Sequence, residues 1–328
     1  MKKIISVIVL SSLLLSLCAC RIDIMNYSVY ANAVKYTTGG GSVKAEEVKS
    51  IEVNWISGSV RIEVKDDTDT ITFSETSSLD TEKDALGEAT ENKELKESLK
   101  MRYLVEGGKL ISQFCKSALS VRAAAVKDLK KDLTVTVPSD AEFEKIQADI
   151  VSSDLFVSKA VASDINVNSV SADVKLVDIK TDAAVCKTVS GNVEIKTDNA
   201  LKTLRTDTVS GNLNAECTAD ETEFRSVSGK TEFKTGSDLK KMKVDTTSGA
   251  VKLEAPAVDE LSVKGVSANV SLILEKADLT LKMTGVSTSV EANGVKYEKT
   301  EEKTYKFGDG AGSVTVNSVS GTVSIEVK

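Results

Sequence analysis

Four acidic or amide side chains recur at a fixed spacing and are the best candidates for chemistry. Asp154, Asp173, Asn192 and Asn212 are separated by 19, 19 and 20 residues, each two positions after a serine. If equivalent positions stack at a strand spacing of about 4.8 Å, Asp154 and Asp173 approach the roughly 5–5.5 Å separation of a retaining glycosidase pair. The two could instead share a calcium ion. We favour a third interpretation, a ladder of turn hydrogen bonds, because Asp and Asn are typical of corners.

The elements that must position these side chains are internal repeats. A motif close to Val-Ser-Gly/Ala-x-Val recurs at steps of 18 to 20 residues and returns once more, at Ser320, after a longer gap. Its earlier serines are Ser152, Ser171, Ser190, Ser210, Ser228, Ser248, Ser267 and Ser287, and the glycines that follow them are Gly191, Gly211, Gly229 and Gly249. A fixed period with alternating apolar residues is typical of stacked units that cannot bury their apolar faces alone.

The apolar pattern within one repeat predicts two strands and a corner. Counted from the serine as zero, apolar residues fall at −6, −4, −1, +3 and +5, as in Leu261, Val263, Val266, Val270 and Leu272 around Ser267. Period-two alternation indicates strands, and the change of parity near the serine indicates a turn, where glycine or alanine at +1 suits a crowded backbone. We therefore predict an all-β fold: a parallel β-solenoid, or β-helix-like stack, of coils of about 19 residues.

The region before the repeats is predicted to have three parts. Residues 20–49 are polar and glycine-rich near residue 40, which favours a flexible tether. Residues 50–149 form an N-terminal capping β region, whose segment 51–78 contains an isolated relative of the motif (WISGSV) and predicts one coil or a capping sheet at the amino end. Residues 79–100 and 116–131 are predicted to be inserted loops or short helices. The solenoid repeats then occupy residues 150–328.

The first twenty residues indicate export and a lipid anchor. Two lysines, a short apolar run and the sequence LCAC match a bacterial signal peptide over residues 1–19. The ending resembles the lipobox of bacterial lipoproteins, which predicts lipidation at Cys20. We therefore expect an exported protein that is lipid-anchored at the bacterial cell membrane or envelope, with membrane lipid as one partner.

Composition excludes several classes of function. The chain has 328 residues and no histidine, which excludes Ser-His-Asp triads and histidine-ligated zinc. The excess of Asp and Glu over Lys and Arg (formal net charge −7) argues against nucleic acid as a partner. We expect Cys115, Cys186 and Cys217 to be small buried thiols. The stretch Gly294–Gly312, which includes the glycine-rich run Gly308–Gly312, lacks the Lys-Ser/Thr of a phosphate-binding loop and is predicted to be a solvent loop before the last coil.

At this point the residues resemble a family of bacterial β-strand repeat domains of unknown function that often carry the label "putative adhesin". The resemblance covers approximately residues 50–328. It rests on the order of the segments WISGSV (55–60), EGGKL (106–110) and LTVTVP (133–138), the repeats, a glycine-rich loop and a final VSGTV (319–323). The resemblance implies a solenoid-like β fold at the cell envelope. It implies no reaction, and no catalytic residue can be assigned from it.

Three functions follow from the sequence. The first is a non-enzymatic, lipid-anchored surface binding or adhesion module that takes a surface glycan or an envelope protein as its partner. The second is a structural or regulatory envelope component that binds another membrane protein. The third is a polysaccharide-active β-helix enzyme, which depends only on Asp154 and Asp173. We favour the first, with no catalytic residue, no metal and no cofactor.

Overall fold

The structure is a computed structural model that describes residues 35–78, 95–117 and 129–328. Across these ranges 70% of the chain is β-strand, and a short 3-10 turn spans Ala45–Glu47. None of the described residues belongs to a helix long and apolar enough to span a bilayer. The predicted signal peptide and lipidated Cys20 lie outside the described residues, as do most residues of the two predicted insertions. The described residues up to Thr181 form one compact unit, and Asp182–Lys328 form a second.

The first unit is built from ten strands. These are β1 (Thr37–Thr38), β2 (Gly41–Lys44), β3 (Ser50–Lys65), β4 (Thr70–Ser77), β5 (Arg102–Glu106), β6 (Lys109–Gln113), β7 (Lys131–Pro138), β8 (Glu142–Ser158), β9 (Val161–Ser169) and β10 (Val174–Val177). The long strands β3 and β8 pair in parallel, with Ser57 opposite Ser152, and β8 continues in parallel to β9 and β10. This is the stacking that the repeats predict.

The amino end of this stack differs from the prediction. The sequence predicts that segment 51–78 lies at the end, but β3 is an interior strand, because β6 and β7 pair with its other edge in parallel. β5 and β4 then cover β6 and β7 with antiparallel pairing. The strand edges at this end are therefore protected by the chain itself.

The predicted flexible tether is wrong for its last part. β1 and β2 lie within residues 20–49 and pair antiparallel with β5 and β4, and the 3-10 turn follows directly. Val48 is 4% exposed. Residues 37–48 are thus held by backbone hydrogen bonds and by burial, which the polar composition of the segment does not reveal.

The second unit is built from thirteen strands. These are β11 (Ala183–Thr188), β12 (Val193–Lys196), β13 (Leu201–Thr208), β14 (Leu213–Glu216), β15 (Ala219–Ser228), β16 (Thr231–Lys234), β17 (Leu239–Ala255), β18 (Val258–Leu274), β19 (Leu279–Thr284), β20 (Ser287–Asn293), β21 (Tyr297–Glu301), β22 (Thr304–Phe307) and β23 (Gly312–Val327). Up to the coil of Ser267, each coil of this unit pairs in parallel with the next, and Ser228 lies opposite Ser248, which lies opposite Ser267. The predicted fold class, a mostly parallel all-β stack of repeat coils, is confirmed.

The coils at the carboxyl end do not stack in chain order. The repeat spacing predicts that the coil of Ser287 follows that of Ser267, with the coil of Ser320 last. In the structure β23 lies between them: Ser320 is opposite Ser267 on one edge and opposite Ser287 on the other. The last strand of the chain is therefore hydrogen-bonded on both edges, while the coil of β19 and β20 is the outermost one.

The residues that face the interior of the coils are the ones that the alternation predicts, except at one position. In the coil of Ser267, the residues at −6, −4, +3 and +5 are at most 2% exposed. The valine at −1 instead faces outward: Val266 is half-buried and Val286 is 84% exposed. The inward position on that side is −2, where Ser169, Thr188 and Ser318 are at most 1% exposed. Two successive residues, at −1 and 0, thus face outward, and this makes the corner.

Candidate functional site

The side chains two positions after each serine form a hydrogen-bond ladder at the corner of the coils. Asp154 Oδ1 accepts the backbone N–H of Asp173 at 3.1 Å. In the second unit Asn192 Oδ1 accepts both the backbone and side-chain N–H of Asn212, at 3.2 and 3.1 Å, and Asn212 Oδ1 accepts the N–H of Lys230 at 2.9 Å. The side chains of Asp154, Asn192 and Asn212 thus each receive a backbone donor from the next coil, which is the geometry of the turn ladder.

The same ladder bears on the calcium and glycosidase alternatives. Asp154 uses one carboxylate oxygen to bond the backbone of the neighbouring coil, and both aspartates are exposed. Among the described residues, no group of three or more Asp, Glu or Cys side chains is placed to hold a metal ion. Calcium binding by Asp154 and Asp173 stays a prediction. The contact between the two residues in the structure is a hydrogen bond that joins neighbouring coils.

The glycines of the motif are explained by close stacking of the coils. A Cβ atom on Gly211 would lie well under 3.0 Å from the carbonyl oxygen of Gly191, and the same holds for Gly229 with Gly211 and for Gly249 with Gly229. Gly229 also has φ +152°, which side-chain-bearing residues rarely adopt. Crowding by the preceding coil therefore selects glycine, as the sequence predicts, and a positive φ adds to it at Gly229.

Charges on the outer faces of the second unit alternate in sign from coil to coil. Lys202 Nζ lies 3.0 Å from Asp182 Oδ2, and Lys240 Nζ lies 2.6 Å from Asp220 Oδ1. A second column runs Lys196, Glu216, Lys234 and Glu254. Two neighbouring columns, Arg205–Glu223–Lys243 and Asp207–Arg225–Asp245, are joined to each other by ion pairs. Exposed pairs contribute little each, but a stack shifted by one coil would place like charges opposite each other.

Cys115, Cys186 and Cys217 are buried, as the sequence predicts, and none of these three is bonded to another. Burial raises the pKa of Cys186 and of Cys217 to about 12. Burial also raises the pKa of Cys115. A thiol nucleophile works as the thiolate, so these residues are placed as core side chains.

The glycine-rich run before β23 holds a carboxylate of the chain itself. Asp278 Oδ1 accepts the N–H of Ala311 at 3.1 Å, and Lys276 Nζ donates to Asp278 Oδ2 at 2.8 Å. The hydrogen bond from Lys276 and the backbone donors lower the pKa of Asp278 to about 2. Since a carboxylate of the protein engages this backbone, the run serves as a turn. The predicted solvent loop over residues 294–312 is wrong for its middle part, where β21 and β22 pair as an antiparallel hairpin.

The first unit contains a buried ion pair that the sequence does not single out. The side chain of Lys131 is fully buried, and its ammonium donates to Glu75 Oε2 and to the carbonyl oxygens of Leu99 and Phe114. Trp55 Nε1 donates to the carbonyl of Lys131 at 2.7 Å. Three acceptors satisfy all three ammonium protons, so the pair joins the segments around β4, β6 and β7 as a structural contact.

Exposed apolar side chains are concentrated at the end of the second unit. The large apolar residues with the highest exposure in the described ranges are Val286, Tyr297, Val319 and Val327, at 84, 47, 36 and 39%. Val286 and Val319 are joined by a backbone hydrogen bond. The ring of Tyr297 packs edge-to-face against Tyr305 and at a tilt against Phe307, with ring centroids 5.6 and 5.4 Å apart. The sequence does not reveal these exposed residues, because the repeat pattern predicts that the valine at −1, here Val286 or Val319, faces the interior.

Fold and site together define a domain of stacked parallel β-coils. Its candidate catalytic residues, Asp154 and Asp173, are joined by a hydrogen bond between neighbouring coils. Residues 94–326 match the family Toastrack DUF4097. The chain belongs to this family, whose function is unknown, and the match confirms the family that its motifs predict.

Two solved structures are similar to this chain. One is a "putative adhesin" from Bacteroides fragilis, with 14% identity and a TM-score of 0.45, covering 72% of this chain and 97% of that one. The other is a "putative cell adhesion protein" from Clostridium sporogenes, with 12% identity and a TM-score of 0.19, covering 90% and 100%. Likenesses this weak carry no conclusion about function. A comparison with curated proteins finds no match.

Proposed function

We propose that this chain is an exported, lipid-anchored protein of the bacterial cell envelope and that its β-solenoid is a non-enzymatic binding module. The observation that carries the proposal is the exposure of Val286, Tyr297, Val319 and Val327. These residues lie on the outermost coil of the second unit, on its hairpin and on β23, the adjoining strand. Apolar side chains left in water at one end of a domain mark a surface for binding.

The remaining side chains support binding rather than catalysis. Asp154 takes part in the corner ladder, and the buried thiols of Cys186 and Cys217 are held protonated by their environment. The residues that the sequence offers for chemistry therefore have structural roles in the coils. The module would bind through its end coil, with an envelope protein or a surface glycan as the partner class and with no role for nucleic acid.

The proposed anchor rests on Cys20, which follows a basic and apolar leader. Replacement of Cys20 by alanine removes the only atom to which the lipid could be attached at this position. We expect the wild-type protein to fractionate with membranes and the variant to be released. A variant that remains with the membranes would show that lipid at Cys20 is not the tether.

Binding through the end coil is tested by site-specific photo-crosslinking on intact cells. A photoreactive residue replaces Val286 in one variant and Asp259, an exposed residue on another coil of the same unit, in the control. We expect a discrete adduct from position 286 alone. A glycan adduct indicates an adhesion module, and a membrane-protein adduct indicates the structural or regulatory alternative. Equal labelling at both positions, or none at either, would contradict a binding role for this coil.

A further inference from the structure

In the outermost coil of the second unit, another strand covers β19, whereas one edge of β20 is open. β22 pairs antiparallel with β19, and β21 pairs with β22. β20 pairs with β23 along one edge, and no strand among the described residues pairs with its other edge. Its interior-facing residues Val290 and Ala292 are half-buried, whereas the corresponding Val270 and Leu272 are at most 2% exposed.

The direction of the backbone groups along the coils shows which atoms of β20 face the open side. In the strand that follows the serine, the N–H at odd offsets donates to the following coil: Val193 to the carbonyl of Asn212, and Leu213 to that of Lys230. At even offsets the N–H faces the preceding coil, as for Lys328, which donates to Leu274. By this alternation Val290 and Ala292 direct their N–H and C=O groups away from β23, toward the open edge.

This open edge lacks the features that usually protect an edge strand. Natural edges carry lysine, proline or a bulge, or are covered by another element. β20 has the sequence STSVEAN, with one charge, Glu291, and its pairing with β23 is uninterrupted. At the amino end of the first unit, by contrast, β4 and β5 cover both strands of the outermost coil.

A second copy of this chain does not fit the edge in an end-to-end arrangement. Antiparallel pairing of two β20 strands would continue the sheet and bring the β19 strand of the second copy into the layer above β19. That layer is already occupied by β22. A single extended strand beside β22 meets no such obstacle, so the occupant that fits is one strand of another polypeptide.

Charge complementarity adds to the description of this strand. Elsewhere in the unit, charges in a column alternate in sign, as in Lys196, Glu216 and Lys234. Glu291 is exposed and faces Ser324 of β23. A basic residue opposite Glu291 would give this carboxylate a partner of opposite charge, like the pairs in those columns. Small or β-branched apolar residues at alternate positions would cover Val290 and Ala292.

We infer that the open edge of β20 is a strand-addition site for an extended segment of another envelope polypeptide, with alternating apolar residues and a basic residue opposite Glu291. The added strand continues the backbone hydrogen-bond ladder between neighbouring coils of the second unit. The site is therefore continuous with an interface that already exists within the chain. The inference rests on the proposed binding function and specifies its partner.

The probe is a fluorescent peptide with the sequence of the strand that pairs with the inner edge of β20, residues 319–328 (VSGTVSIEVK). Position 324 of the peptide is lysine in one version and glutamate in the other. Fluorescence anisotropy with the full-length protein measures the two dissociation constants. We expect saturable binding, with the lysine peptide about threefold to tenfold tighter because it faces Glu291. No binding of either peptide, or equal binding of both, would overturn the inference.

A proline variant tests whether the open edge is the binding site. Ala292→Pro removes an N–H that faces the open edge and none that faces β23, so it should abolish peptide binding while the thermal unfolding curve stays close to that of the wild type. Ala292→Thr keeps the N–H and should bind. Binding that survives in Ala292→Pro contradicts strand addition at this edge. Peptide binding without a cellular adduct at position 286 would instead contradict the proposed function and leave the edge site intact.

Discussion

The buried ion pair of the first unit makes a quantitative prediction about stability. Lys131 is fully buried and Glu75 is 10% exposed at its side chain. Burial lowers the pKa of Lys131, while Glu75 opposes that shift. Glu75 Oε1 also accepts the N–H of Met101 at 2.7 Å. Replacement of Lys131 by methionine keeps an unbranched side chain as far as the ε position, removes the ammonium group, and leaves a carboxylate without its cation.

The magnitude follows from the groups left without partners. Loss of one member of a buried pair typically costs about 3–5 kcal/mol, and Lys131→Met also removes the donor to the carbonyls of Leu99 and Phe114. We expect a loss of about 3–5 kcal/mol in the free energy of unfolding. The double variant Lys131→Met/Glu75→Gln removes the unpaired charge and keeps an acceptor for Met101. It should be at least about 1 kcal/mol more stable than the single variant.

Urea denaturation followed by the fluorescence of Trp55 measures both values, because Trp55 is the only tryptophan and donates to the carbonyl of Lys131. The control is Lys145→Met, at a half-buried position on β8, which should change the free energy of unfolding by less than about 0.5 kcal/mol. A loss below about 1 kcal/mol for Lys131→Met, or a double variant no more stable than the single one, would refute a buried, charged pair.

Three further predictions concern the coils. Gly229→Ala places a Cβ against the carbonyl of Gly211 and should cost about 1–3 kcal/mol, whereas Ala268→Gly, at the same offset, should cost about 0.5–1 kcal/mol; chemical denaturation compares the two. The folded pKa of Asp278, about 2, lies below the ordinary 3.8. The contribution of Asp278 to stability is therefore fully present above pH 3.8 and is lost as the pH falls through about 2. Asp278→Asn should remove this part of the acid dependence of stability, which denaturation at a series of pH values measures. Cys186 and Cys217 should not react with a thiol reagent at neutral pH until the protein unfolds, because burial raises the pKa of each thiol to about 12; rapid labelling in the native state would contradict their burial.

The stacked coils could be predicted from the sequence because their signals are local and repeated. In most coils the residues at −6, −4, +3 and +5 are apolar and alternate with polar residues. A glycine at +1 marks the place where one coil crowds the next. The valine at −1 misleads, since a β-branched residue suits a half-exposed strand position as well as a buried one. The buried residues at −2, such as Ser169 and Thr188, are too polar to be recognised as core from composition.

The order of the coils and the candidate site could not be predicted, because both depend on contacts between distant residues. Equal repeat motifs do not say which coil is opposite which, so the position of β23 between β18 and β20 has no signal in the spacing. The exposure of Val286 follows from that arrangement. Lys131 and Glu75 are 56 residues apart, and a single lysine among polar neighbours gives no indication of burial.

The order of the coils at the carboxyl end tests the account most directly. Ser267 and Ser320 are direct partners on adjacent strands, about 4.8 Å apart, whereas Ser267 and Ser287 are separated by β23. A disulfide needs Cα atoms within about 7 Å. In full-length protein, the variant Ser267→Cys/Ser320→Cys should therefore form an intramolecular disulfide under mild oxidation, detected by peptide mass spectrometry, and Ser267→Cys/Ser287→Cys should not. A disulfide in the second variant and none in the first would contradict the insertion of β23 and, with it, the open edge of β20.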